Sequence, residues 1–353
     1  MIHPATANPE AEKLNSYPLF DWLRFVLASI VVLGHAGIQF PTAFGGHMAV
    51  EVFFALSGWL IGGILLRTDR RELPRFFFNR STRIWIPYAL AIVLLYGVAL
   101  LHEGASLFWF KYLLFDVTFT HQLFTIFPAA LDEMPLDGSG NQFWSISVEE
   151  QFYLMAPLLI LFVKQGKSLW IWLIIAIVLG AFESHFAAIA LGVCAAIVES
   201  RTAFSASSVV RWTAVAVAVS SASVIIWTKS SFFGPIFAVA IVISMAKPGR
   251  RARLAQTAGG LSYPLYLNHW IGVFAVNFVS KRWFPLDFQT FVLAQYVLNI
   301  AVALALYLAV DRQVQLRRGI WYSDDLGKML ALTSYALVGT GLILGSAILL
   351  AGY

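Results

Sequence analysis

The chain runs as a series of long apolar stretches broken by short polar ones. Each stretch is close to the 17 to 25 residues that carry a helix across about 30 Å of hydrocarbon. Eleven spans follow from this reading: residues 19–40, 48–66, 84–101, 143–163, 169–182, 185–198, 212–227, 233–245, 263–279, 288–310 and 330–350. The spans at 169–182, 185–198 and 233–245 are short, as continuous helices packed inside a bundle can be. The pattern predicts an all-α fold, a polytopic membrane helix bundle of about 10–11 transmembrane helices.

Charge orients this bundle. With the N-terminus in the cytoplasm, twenty of the 24 lysines and arginines fall on the inner side. Only Lys111, Lys229, Lys281 and Arg282 fall on the outer side. Such asymmetry is the signature of positive-inside topology, and a miscounted span would scramble it downstream. Residues 1–18 are then a cytoplasmic tail. It lacks the basic segment followed by an apolar one that marks a secretory signal, so the first span is expected to direct insertion itself. No internal repeat or low-complexity tract interrupts residues 1–353, which read as a single membrane domain without an appended soluble domain. The longest outer segment, 102–142, is aromatic in its first half and suits an interfacial or re-entrant position.

Composition agrees: 59% of residues are hydrophobic and 12% charged, against about 25% charged in soluble domains. The net charge of +5 is explained by topology and predicts no nucleic-acid partner. The single cysteine, Cys194, excludes an internal disulfide framework and reads as a small buried hydrophobe.

The chemistry lies where apolar spans carry ionisable groups, which are costly in a membrane and mark function by default. The first span holds Asp21, Arg24 and His35. Eleven residues of helix make three turns plus about 20° and a rise of about 16 Å, so Arg24 and His35 share one face at opposite depths. His35, between Gly34 and Gly37, suits a general base on a hydroxyl, or a nucleophile. Arg24 is either an interfacial arginine paired with Asp21 or an anion ligand. Ser57 and Gly58 in the second span form a small surface for close helix packing. Arg80 and Arg83, at the inner mouth of the third, satisfy positive-inside topology and also suit bidentate phosphate binding. Glu149 and Glu150 point about 100° apart near the outer end of the fourth. His269 enters the ninth span from inside. The remaining histidines, His3, His47, His102, His121 and His185, give no metal-ligand spacing, and no metal site is expected.

Five stretches together resemble the acyltransferase 3 family of bacterial integral-membrane O-acyltransferases. These are residues 20–24 (FDWLR) through His35, 52–58 (VFFALSG), 80–84 (RSTRI) with Pro87, 144–153 (WSISVEEQFY) with Pro157, and 261–269 (LSYPLYLNH). They occur in order over the whole chain. Two positions depart from the family pattern: Ile271 stands where a proline is expected, and Asn79 where a second basic residue is common. The family's frequent extracytoplasmic esterase-like domain is not seen, so a separate extracytoplasmic enzyme is a candidate partner.

The resemblance implies a multi-pass protein of the inner (cytoplasmic) membrane, in contact with its lipids. It would move an acyl group, expected to be acetyl, from cytoplasmic acyl-CoA to a hydroxyl of an outer glycan or lipid-linked glycan. Acetyl-CoA is then a substrate, with no bound cofactor. His35 would be catalytic, oriented by Glu149 or Glu150. Arg24, Arg80 and Arg83 would bind the donor's phosphates, and His269 and Tyr153 would line its channel. A second class of function, a proton-coupled transporter or lipid-linked glycan flippase, would also use buried arginine, histidine and glutamate. The missing inverted repeat and the inner arginine pair count against it.

Overall fold

A computed structural model describes residues 17–125, 127 and 129–351. Nearly all of the predicted cytoplasmic tail, 1–16, lies outside the described residues. The helices of ten or more residues, in chain order, are α1 Pro18–His35, α2 Gly46–Leu65, α3 Leu73–Glu103, α4 Leu107–Val117 and α5 Phe143–Pro157. There follow α6 Leu169–Ala181, α7 Phe186–Thr202, α8 Ser208–Thr228, α9 Gly234–Met245 and α10 Arg253–Asn268. The last are α11 Trp270–Arg282, α12 Phe288–Leu306, α13 Arg312–Trp321 and α14 Asp324–Leu350. Ten of the eleven predicted spans each fall on one helical stretch, the ninth, 263–279, runs across the break between α10 and α11, and no strand occurs among the described residues. Seven of these helical stretches are long and apolar enough to cross a membrane. The fold is an all-α polytopic bundle, and the apolar faces that other helices leave uncovered are those a bilayer would cover. Trp170, Ile177, Trp212 and Ile343 are each more than two-thirds exposed.

The chain divides into two compact units. The first comprises residues 17–63 and 168–263, the second 64–167 and 264–351.

In the first unit α2 is the most enclosed span, with 72% of its apolar window buried. It lies against α7 through glycines on both sides. A Cβ on Gly58 would strike the Ile189 carbonyl, and one on Gly192 would strike that of Ala55. Ser57-Gly58 is therefore a packing surface, as its residue types predict. The start of α2 also rests on α1, since a Cβ on Gly46 would lie 3.7 Å from the Val31 Cα. Cys194 is buried on α7.

In the second unit α3 begins eleven residues before the predicted span. Pro74 stands in its first turn, and the Glu72 carboxylate accepts the Asp69 N–H at 3.0 Å. Acidic capping and an early proline both favour helix initiation here. From Leu73 on, the arginine-rich segment before the predicted third span is thus helical rather than loop, and Arg75, Arg80 and Arg83 stand on the first three turns of α3. Segment 102–142 is not a solvated loop. It folds into α4 and short helical turns around buried polar groups. Asp116, fully buried, accepts the Tyr96 hydroxyl at 2.5 Å and lies 2.6 Å from His121 Nδ1. Lys111 donates to Glu133 at 2.7 Å.

Candidate active site

Within the first unit, α1 is one unbroken helix carrying Asp21, Arg24 and His35. The three-turn spacing therefore holds, and Arg24 and His35 share a face. Pro18 opens the helix with a backbone already in helical φ. Its other end is a Schellman turn. Gly37, at φ 99°, takes the left-handed position, while the Gly37 and Ile38 N–H groups donate to the Gly34 and Leu33 carbonyls. Gly37 thus stops the helix immediately after His35, whereas a Cβ on Gly34 would meet nothing within 4 Å. His35 is the last residue of α1, and its side chain is exposed.

The Asp21 carboxylate is 1% exposed and is gripped by both ends of the Arg251 guanidinium. This fork geometry is the strongest a carboxylate can make. Arg24 reaches the same carboxylate only at 3.7 Å. Two guanidinium groups thus approach one carboxylate, Arg251 closely and Arg24 at longer range. Sequence reading paired Asp21 with Arg24; its principal partner, Arg251, is 230 positions away and invisible to local spacing.

Within the second unit the structure brings together Arg80, Tyr153 and Glu149. The Arg80 guanidinium lies 5.7 Å from the Tyr153 ring centre, and the Tyr153 hydroxyl donates to Glu149 at 3.0 Å. Glu150, 3% exposed, accepts the Trp85 indole N–H at 3.1 Å. The two adjacent carboxylates thus diverge as helix geometry requires, Glu149 toward Tyr153 and Glu150 toward Trp85. Arg83 is exposed, within electrostatic reach of Arg80, Arg318 and Asp311. Arg318, on α13, joins this cationic group from far along the chain and was not legible beforehand. Arg75 lies over the Tyr322 ring at 5.2 Å.

His269 is placed differently from expectation. The predicted span starts at 263, but α10 starts at Arg253, so His269 follows sixteen helical residues, about 24 Å of rise. It is buried at the break between α10 and α11, with Nδ1 2.8 Å from the Tyr266 carbonyl. Gln142, just before α5, donates to the Leu267 carbonyl at 3.1 Å. The Tyr266 hydroxyl meets the Ser145 hydroxyl at 2.7 Å. His269 therefore sits level with the start of α5, the end that charge assigns to the outer side. Tyr153 is roughly 16 Å further along α5, and the structure does not bring the two together.

Two histidines set aside by sequence reading also meet. His47 and Glu51, one turn apart on α2, converge with His185 in the first unit. Spacing along the chain gave no sign of this grouping, because His185 arrives from 134 positions away.

A sequence profile for the acyltransferase domain matches residues 17–308. The chain belongs to the acyltransferase 3 family. The acyltransferase 3 match takes in α1 to α12 and leaves α13 and α14 outside. The peptidoglycan O-acetyltransferase OatA of Listeria monocytogenes is 30% identical over 181 residues, covering 47% of this chain and 28% of that protein. The O-acetyltransferase OatA of Staphylococcus aureus is 29% identical over 164 residues, covering 41% of this chain and 25% of that one. The matched stretch therefore spans only about a quarter of each curated relative. No solved structure matches the chain.

Proposed function

We propose that this protein is an inner-membrane O-acetyltransferase that uses acetyl-CoA to esterify a hydroxyl of an extracytoplasmic glycan. The reading rests on one observation above the others: within a member of this family, Arg24 and His35 lie on one face of an unbroken helix that ends at His35. The O-acetyltransferase names of both relatives support the same chemistry.

His35 takes the proton of the acceptor hydroxyl as its oxygen attacks the thioester carbonyl. The C–S bond breaks, an ester C–O bond forms, and His35 returns the proton to the departing CoA thiolate. In a two-step route the His35 imidazole attacks the thioester carbonyl, the C–S bond breaks and the ring proton passes to the CoA thiolate; the acceptor oxygen then attacks the acetyl-imidazole, the C–N bond breaks and the hydroxyl proton returns to the imidazole. Arg80 and Arg83 hold the donor's phosphates, as guanidinium groups on consecutive helical turns can do bidentately. Arg318 adds charge to that group, and Arg24 is a further donor-binding residue by its place on the face of His35. Tyr153 positions Arg80. Glu149 or Glu150 supplies a carboxylate to the same chemistry. Lipid-linked glycan is the acceptor class that the membrane setting favours.

The test uses purified, detergent-solubilised protein and acetyl-CoA labelled in the acetyl group. Free CoA release and label on the protein are followed for wild type, His35→Ala, Glu149→Gln, Glu150→Gln and an Arg80→Ala/Arg83→Ala double variant. His35→Ala should abolish release and labelling while acetyl-CoA binding survives. The double arginine variant should lose binding. Full activity in His35→Ala would overturn the scheme, and wild type that neither binds nor consumes acetyl-CoA would turn the reading toward transport.

A further inference from the structure

His47 stands in the first turn of α2 and Glu51 one turn later, so both project from one side of the helix. His185 stands immediately before α7. The glycine contact between α2 and α7 fixes how closely these helices approach, and so sets His185 over Glu51. His185 Nδ1 lies 2.5 Å from Glu51 Oε1, and the His47 and His185 rings are 5.4 Å apart. One donor atom from each of the three residues lies within 4.8 Å of the other two.

A plain ion pair between Glu51 and His185 accounts for only part of this. Glu51 is 4% exposed, and its second oxygen, Oε2, is buried without a hydrogen bond. A buried anionic oxygen left unmatched is costly. The pair also gives no reason for a second imidazole to stand beside the first, since two protonated rings would repel. A shared divalent cation resolves both points at once: it neutralises the carboxylate and takes a lone pair from each ring.

We infer that His47, Glu51 and His185 form a binding site for a divalent transition-metal cation of the Zn²⁺ class, tying α2 to α7. Two imidazole nitrogens and one carboxylate oxygen suit Zn²⁺ and not the all-oxygen preference of Ca²⁺ or Mg²⁺. Ligand bonds of about 2.1 Å in tetrahedral array put donor atoms roughly 3.4 Å apart. The group reaches that spacing by contracting up to about 1.4 Å on one side and opening about 1 Å at the Glu51–His185 pair. The exposed His47 side chain has room to turn, and binding exchanges the proton between Nδ1 and Oε1 for the metal. Three protein ligands leave a fourth position, on the exposed side of His47, for water. The Glu51 stem is backed by α9, where a Cβ on Gly234 would lie 3.8 Å from its Cγ.

The inference is independent of the acyl-transfer reading and is tested without activity. The full chain, carrying an affinity tag free of histidine, is stripped with chelator and titrated with Co²⁺ alone. Visible ligand-field absorption reports the coordination, and Zn²⁺ then displaces the Co²⁺. Wild type should bind one Co²⁺ with tetrahedral-type absorption. His47→Ala, a change at an exposed position, should weaken binding at least ~100-fold, while His102→Ala should bind as wild type. Zn²⁺ should raise the unfolding temperature of wild type and not of His47→Ala, because only a folded site gains from ligand. Absence of ligand-field absorption, or stoichiometric binding retained by His47→Ala, would overturn the site. Equal weakening in His102→Ala would do the same, by showing scattered surface histidines as the ligands.

Discussion

Replacing Gly58 by alanine tests whether the α2–α7 contact sets the geometry of the first unit. The added Cβ would strike the Ile189 carbonyl and lie 3.1 Å from the Gly192 Cα. Every atom it meets is backbone, so no side chain can rotate away. The helices must part by about 1 Å, a gap that forfeits a quarter to a half of the dispersion energy between facing atoms. Overpacking costs typically 1–3 kcal/mol, and a backbone clash belongs at the upper end, about 3 kcal/mol. At roughly 2 °C per kcal/mol in a chain of this size, the unfolding temperature should fall by about 6 °C. Gly192→Ala should do the same, since its Cβ would meet Ala55 and Trp59 from the opposite side. The double variant should cost clearly less than the sum, because one separation accommodates both methyl groups. Gly97→Ala is the control: its Cβ meets nothing within 4 Å, and alanine is the better helix former by up to about 1 kcal/mol. Melting is followed by size-exclusion chromatography of heated, detergent-solubilised protein. If Gly58→Ala melts with wild type and Gly97→Ala, the close contact is not a constraint. The reasoning behind the α2–α7 register would then fail.

Three further outcomes follow from single contacts. Arg251→Ala strands the buried Asp21 with only the 3.7 Å contact to Arg24. It should lower stability by about 3–5 kcal/mol, and adding Asp21→Asn should recover part of that loss in the same melting assay. Trp85→Phe removes the indole N–H from Glu150 and should cost about 1.5–3 kcal/mol. A double-mutant cycle with Glu150→Gln should show the two changes coupled, and strict additivity would deny the bond. Asn299→Leu should cost about 1–3 kcal/mol, because the Gly272 N–H at the start of α11 donates to Asn299 at 3.0 Å. Faster deuterium uptake confined to the first turns of α11 would report it.

The sequence by itself determined the class of fold, the positions of the helical spans and the family. These are local properties: a run of apolar residues must satisfy its own backbone in lipid, and only a helix does so within one segment. The shared face of Arg24 and His35 was legible for the same reason, since it needs only the helical repeat and an unbroken α1. The packing role of Gly58 was legible from residue size. Helix starts were not, because caps such as Asp69 and Glu72 extend a helix past its apolar stretch. Both α3 and α10 begin before their predicted limits, and His269 stands level with Gln142. Which charges meet was decided only by the tertiary structure. Asp21 faces Arg251 rather than chiefly Arg24, Glu149 turns to Tyr153 while Glu150 turns to Trp85, and His185 closes on His47 and Glu51. Tyr153 is four residues from Glu149 on α5, but Arg251, Trp85 and His185 come from distant parts of the chain, and spacing along one helix carries no information about what a distant segment places beside it.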